Sequence, residues 1–327
     1  MATLISSLAD IGVGEPVSVH NLTMFPLRGT DVPEPGYLTL DRATSQQGVE
    51  LGEIGSGTVP EIQLRNRLDR PVLILDGEEL VGAKQNRVVN LTVLVPAKTE
   101  LKIPVSCVEQ GRWHFHARDF RPSHHVHHSR GRAHRNRDVS LSLMASFGTM
   151  RYADQSVCWE DVEKVLSDLE VDSATRSLTD AFETHQSSLE DYVRAIRPET
   201  GQTGALFMIN GTVAGMDLFD SSSTLADLLP KLAHSYALDA LASFRRQAPQ
   251  PSHDDAAAFL KAVTATEAER YKAIGEGFDL RLRSTEVAGG GLEAWDRLIH
   301  LCAFPYEEAD YERRMRAASA RRRLWID

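Results

Sequence analysis

Two short polar stretches hold the residue types that do chemistry. The first, residues 76–87, reads DGEELVGAKQNR and sits between hydrophobic runs. Unpaired charges at a core edge cost several kcal/mol each, so Glu78 or Glu79 should pair with Lys84, Arg87 or Arg112, or meet a ligand. The second, residues 106–113, reads SCVEQGRW. On a strand, Cys107 and Glu109 share one face, and a cysteine beside a cation can act as a thiolate nucleophile. Glu79, Glu109 and Cys107 are therefore the candidate catalytic groups. Lys84, Gln85, Asn86, Arg87, Arg112 and Trp113 are the candidate ligand-binding groups: cations to hold phosphate, amides to orient it, an indole to stack on a base. The same residues also fit a structural ion-pair network, a small core cysteine and a core tryptophan.

A third stretch, residues 112–138, holds seven arginines against two aspartates, a local charge of +5, and seven of the 12 histidines. Within it, His124, His125, His127 and His128 have spacings that zinc or another divalent transition metal accepts. Arginines in this number would also suit phosphate. With little apolar periodicity, the stretch reads as a long loop or insertion that binds metal adventitiously if at all. Asp217, Asp220 and Asp227 surround a helix start and read as capping groups. Neither HExxH, GxSxG nor a Walker-type GxxxxGK[ST] occurs.

The elements that must position these groups follow from hydrophobic patterning. Residues 17–109 read mostly as strands. The run Val72-Leu73-Ile74-Leu75 fits a strand buried on both faces, and Asp76-Gly77 reads as a tight turn into a hairpin arm at Glu78–Val81. Residues 88–96 and 101–108 are further strands. Beyond the His/Arg stretch, Trp159, Val162, Leu166 and Leu169 have helical spacing, and residues 173–196 form a second amphipathic stretch. Asn210-Gly211 marks a hairpin within residues 205–219. Ser223 reads as the N-cap of a helix reaching about Phe244, and residues 253–264 as another helix. Gly289-Gly290-Gly291 marks a sharp turn or a close backbone approach. The expected fold is α+β: a β-rich lobe (15–111), the His/Arg insertion (112–138), a helical and β-hairpin lobe (139–306) and a charged tail (307–327) whose order of charges would suit a helix dipole.

Composition narrows the classes. The chain has 327 residues, 42% hydrophobic and 25% charged, enough for a large core and unlike a disordered, collagenous or coiled-coil chain. A net charge of −10 argues against general coating of nucleic acid or anionic membrane. Three dispersed cysteines support neither a disulfide framework nor a zinc ribbon. No secretory leader and no long apolar run is present, so the expectation is a cytoplasmic protein with no membrane association.

Residues 21–27 (NLTMFPL), 76–90 (DGEELVGAKQNRVVN), 103–113 (IPVSCVEQGRW), 204–219 and 231–240 resemble the ARPP domain, a bacterial family whose name stands for ADP-ribosylglycohydrolase- and rhodanese-phosphatase-superfamily-associated protein. The resemblance runs from about residue 15 to 305. It implies a polar centre of Glu78, Glu79, Lys84, Gln85, Asn86, Arg87, Cys107, Glu109 and Arg112, with no catalytic role attached. It also implies a setting among proteins that process ADP-ribose and phosphate groups, RNA repair included. The His/Arg stretch departs from the family pattern and reads as decoration. Three functions stay open: a hydrolase or transferase on ADP-ribose, a nucleotide or an RNA end; a module that binds such a ligand or a protein partner; and a scaffold. Metal binding through the histidines is an alternative to all three.

Overall fold

The structure is a computed structural model that describes Leu8, residues 10–245 and residues 247–306. The charged tail lies outside the described residues. The chain opens with β1 (Gly12–Val13), β2 (Val17–Val19), β3 (Leu22–Arg28), β4 (Leu38–Thr39) and α1 (Leu40–Ser45). Then come β5 (Val49–Glu53), β6 (Glu61–Asn66), β7 (Val72–Ile74), β8 (Glu78–Gly82), β9 (Arg87–Val89) and β10 (Val93–Val95). Next are β11 (Glu100–Cys107), β12 (Phe120–Val126), α2 (Ser129–Ala145), α3 (Gln155–Asp168), α4 (Leu178–Thr184) and α5 (Gln186–Ala195). The hairpin β13 (Gly204–Ile209) and β14 (Thr212–Phe219) leads to α6 (Ser222–Ala242) and α7 (His253–Ala265). A meander of β15 (Ala268–Lys272), β16 (Phe278–Arg283), β17 (Val287–Ala294) and β18 (Arg297–Pro305) follows. The fold is α+β, as expected.

Three sheets result. Nine strands form an antiparallel sheet in the order β1-β3-β13-β14-β18-β17-β16-β15, with β2 also on β3. Six form β12-β8-β9-β11-β6-β5, and three form β10-β7-β4. The central strands of the large sheet read as continuous apolar runs because both faces are covered. Met24 and Phe207 face a core with Leu225, Leu229 and Tyr236 of α6, while Phe25, Leu206 and Met208 face a core with Phe259 and Val263 of α7.

Four local expectations change. Asp76-Gly77 does not close a hairpin: β7 pairs with β10 and β4, whereas β8 pairs with β12 and β9. The pair is a corner between two sheets, and Gly77 takes φ +81° there, with Arg132 and Arg135 packed 3.0 Å from where a Cβ would sit. The triple glycine is no turn either. It lies inside β17, where a Cβ on Gly290 would stand 1.3 Å from Arg281 Nη2 and 2.5 Å from Asn136 Oδ1, so the close-approach reading describes it. The N-cap of α6 is Ser221, whose Oγ accepts from Ser223 N, and the helix ends at Ala242.

The fourth change is the largest. Residues 112–119 are irregular and mostly exposed, as read, but from Phe120 the stretch is β12 followed by the 17-residue helix α2. Its buried residues include Arg132, Arg135, Asn136 and Asp138, so the face that α2 turns to the core is largely polar. A helix that buries arginines instead of leucines carries no 3.6-residue apolar signal.

Candidate functional site

The two motif stretches meet at one end of the six-stranded sheet. β9 lies between β8 and β11, in the register Leu80↔Arg87 and Arg87↔Cys107 on one side and Glu79↔Val88 and Val88↔Ser106 on the other. Strand pleating therefore puts Arg87, Leu80 and Cys107 on one face and Glu79, Val88 and Ser106 on the opposite face. Arg87 and Glu79, neighbours in the motif, do not share a site.

Most of the motif is consumed in holding itself together. Glu109 receives Arg112 Nε (2.8 Å) and Nη2 (2.6 Å), Asn86 N (3.0 Å) and Thr175 Oγ1 (3.0 Å). Burial alone would raise its carboxyl, but these donors hold it below the usual carboxylate range. Arg112 also donates to the carbonyls of Ala83 and Gly82 and to Asn86 Oδ1, clamping the turn from β8 to β9. Asn86 reaches Thr179 Oγ1, and Gln85 donates to Glu109 O. Neither acid of the first stretch takes a basic partner from that stretch. Glu78 binds Lys231 Nζ at 2.7 Å, which also meets Asp41. Glu79 accepts from Thr179 Oγ1, with its Oε2 2.7 Å from His125 Nδ1 but not aligned for a hydrogen bond.

Arg87 is different. It is fully buried, and its only hydrogen bond among the described residues runs from Nη1 to Gln85 Oε1 (2.8 Å); Nε and Nη2 have no acceptor. Trp113 lies over it, ring centroid 5.7 Å from Cζ, and is itself 47% exposed, outside the core. Lys84 Nζ stands 5.1 Å from the Trp113 ring and 5.3 Å from that of the exposed Phe115. Lys84 Nζ donates to Ser56 O, and the Lys84 backbone N–H donates to Glu53 Oε1.

Cys107 shares the face of Arg87 but is built as a core thiol. Its Sγ contacts Glu109 O at 3.1 Å, and burial raises the thiol despite the opposing charge of Arg87. Cys158 and Cys302 are raised in the same way, the latter to about 12. We expect a disulfide-exchange thiol reagent at pH 8 to label the native chain at well under one site in minutes, and all three cysteines in denaturant. Rapid labelling of one native thiol, lost in Cys107→Ser, would contradict this assignment.

The four histidines raised as metal ligands do not converge. His124 points to solvent, His125 stacks on Phe182 beside Glu79, His127 Nδ1 meets Arg135 Nη1 (2.6 Å), and His128 Nδ1 meets Asp239 (3.0 Å). One trio of metal-type side chains does converge among the described residues, Asp217, His300 and Cys302, with ligand atoms within 4.8 Å of one another. It belongs to a buried ion-pair centre. Arg132 grips Asp217 with Nη2–Oδ1 2.6 Å and Nη1–Oδ2 3.0 Å, and reaches Asp76 through Nε at 3.1 Å. Arg135 and Asn136 complete Asp76, and His300 bridges Asp217 to Thr92. A divalent cation there would compete with a guanidinium that already occupies both oxygens of Asp217.

Sequence reading missed this centre. Its residues span more than 200 positions of the chain, from Asp76 to Cys302, and the capping role read for the aspartates fails: Asp217 holds Arg132, Asp220 accepts from Tyr37 Oη (2.5 Å) and Asp227 accepts from Arg42.

An α+β protein built round buried arginine–carboxylate centres, with the Arg87 guanidinium lacking a carboxylate beneath an exposed tryptophan, is the class that fold and site define. The chain belongs to the ARPP-1 family: the family model, described as the ARG and Rhodanese-Phosphatase-superfamily-associated Protein domain, matches residues 10–304. No curated protein and no solved structure gives a significant match. Among the described residues no helix is long and apolar enough to cross a membrane.

Proposed function

We propose that this protein binds a phosphate-bearing ligand of the ADP-ribose, nucleotide or RNA-end class at Arg87. The observation that carries this reading is a fully buried guanidinium with two unsatisfied nitrogens. A buried charge of that kind is costly unless an anion completes it. Arg87 would take the phosphate bidentately, with Gln85 fixing its plane. Lys84 would supply a second charge, and Trp113 and Phe115 a stacking surface for a ring. Glu109, Asn86 and Arg112 would frame the site. The family name, which ties these proteins to ADP-ribosylglycohydrolase and rhodanese-phosphatase superfamilies, supports the same ligand class.

Because Trp113 covers Arg87, it must move to admit a ligand, and its fluorescence reports binding. Titration with ADP-ribose, ATP and a 5′-phosphorylated oligoribonucleotide should change the emission for one class, and Trp113→Phe should abolish that change. Arg87→Met should remove the binding itself, read by calorimetry. Unchanged affinity in Arg87→Met would overturn the assignment. Product released over hours would extend the reading to a hydrolase or transferase; stoichiometric binding without product would leave a binding module.

A further inference from the structure

With no residue of the two motif stretches in its lining, a cleft of about 480 Å³ is bordered by the start of α2, the middle of α3, the end of α6 and the β13–β14 turn. That volume falls in the range of small-molecule sites. Two imidazoles line it, and each is clipped to a carboxylate through Nδ1: His128 to Asp239 (3.0 Å) and His134 to Asp161 (2.8 Å). A carboxylate on Nδ1 fixes the ring's orientation and leaves Nε2 for other work. His128 Nε2 is buried and has no hydrogen-bond partner among the described residues.

Arg130, Lys164 and Arg245, all exposed, stand on the same cleft. The acids that line it are already engaged. Asp239 also accepts from Ser129 Oγ (2.5 Å) and Arg130 N (3.3 Å), Asp168 holds Lys164 at 2.8 Å, and Asp161 holds His134. Arg130 and Arg245 form no ion pair among the described residues, so their charge is available to a ligand. Val165, Ile209 and Val213 give the cleft an apolar wall. Cationic side chains, oriented imidazoles and an apolar wall together match a small organic phosphate better than a bare anion or an apolar ligand.

We infer that this cleft is a second ligand site, for a small phosphate monoester of sugar-phosphate size, with Arg130 and Arg245 on the phosphate and His134 beside it. The site shares no residue with Arg87 and stands or falls separately.

The test uses the full chain carrying Arg87→Met, which silences the first site, with ribose 5-phosphate and inorganic phosphate as probes in calorimetry. Ribose 5-phosphate should bind, and Arg130→Ala combined with Arg245→Ala should weaken it about tenfold or more, since each lost charge-assisted contact carries about that effect. Both positions are exposed, so the fold should persist, checked by an unchanged melting temperature. In ¹⁵N-histidine-labelled protein, the ligand should shift the resonance that His134→Gln deletes. Binding that ignores the Arg130/Arg245 double variant, or absence of any binding, overturns the inference. Equal affinity for inorganic phosphate overturns the assignment to an ester.

Discussion

Arg132→Met should lower stability by about 3–5 kcal/mol, the cost of breaking a buried ion pair and leaving its partner charged. For a domain of this size that is a fall in melting temperature of roughly 5–15 °C. Arg132 is fully buried and bonds both carboxylates, Asp217 through Nη1 and Nη2 and Asp76 through Nε. Those two carboxylates come from a sheet corner and from the large sheet, so Arg132 joins α2 to both. The centre also has a pH signature. Burial would raise Asp217, but Arg132 and His300 hold it down to about 2. A folded-state value below the unfolded value of ~3.8 means stability that is complete above about pH 4 and lost as pH falls towards 2, worth about 2–3 kcal/mol. The wild type should show this loss in acid by denaturant titration, and Arg132→Met should show much less of it. A variant as stable as the wild type, with an unchanged acid profile, would remove Arg132 from this role.

Arg87→Met should act in the opposite direction. In the ligand-free chain it should raise stability by about 1–3 kcal/mol, since an apolar side chain of similar length replaces a buried charge that lacks an anion. Two terms reduce the gain: the contact of the guanidinium with the Trp113 ring, and the Gln85 oxygen left without its donor. The same substitution should abolish the stabilisation that a phosphate-bearing ligand gives the wild type, about 4.1 kcal/mol at a thousand times its Kd. The crossover is the informative feature: the variant melts above the wild type without ligand and below it with ligand. A variant that melts lower in both conditions would make Arg87 a structural residue and end the proposal at that site. The two arginines thus separate by one geometric fact, the presence or absence of carboxylates within hydrogen-bonding reach.

Much of the strand framework was legible. The runs at residues 72–75 and 101–108, the Asn210-Gly211 hairpin and the helix at residues 253–264 carry their signals locally, in apolar period and turn chemistry. The hairpin takes positive φ at both Asn210 (+52°) and Gly211 (+73°), as that turn requires. The motif stretches were also recognisable as the polar centre of a family. The division of labour inside them was not. Lys84, Gln85, Asn86 and Arg87 follow one another in sequence, yet Asn86 is spent on Glu109, Arg112 and Thr179 while Arg87 keeps two free donors. Asn86 is completed in part by Thr179, 93 positions later.

The His/Arg stretch shows the limit most clearly. By itself the sequence determined an unusual density of cationic groups between residues 112 and 138, and the absence of an apolar stripe. Tertiary structure decided that from Phe120 the stretch is a strand and a helix, and that His127, His128, Arg132 and Arg135 among its cationic groups are buried. Asp76, Asp217, Asp161 and Asp239 each supply a carboxylate to one of its basic side chains. Local periodicity reports burial only when burial is driven by apolar side chains. Where a helix is buried through ion pairs, the compensating charges lie on other elements, and only the fold brings them within reach.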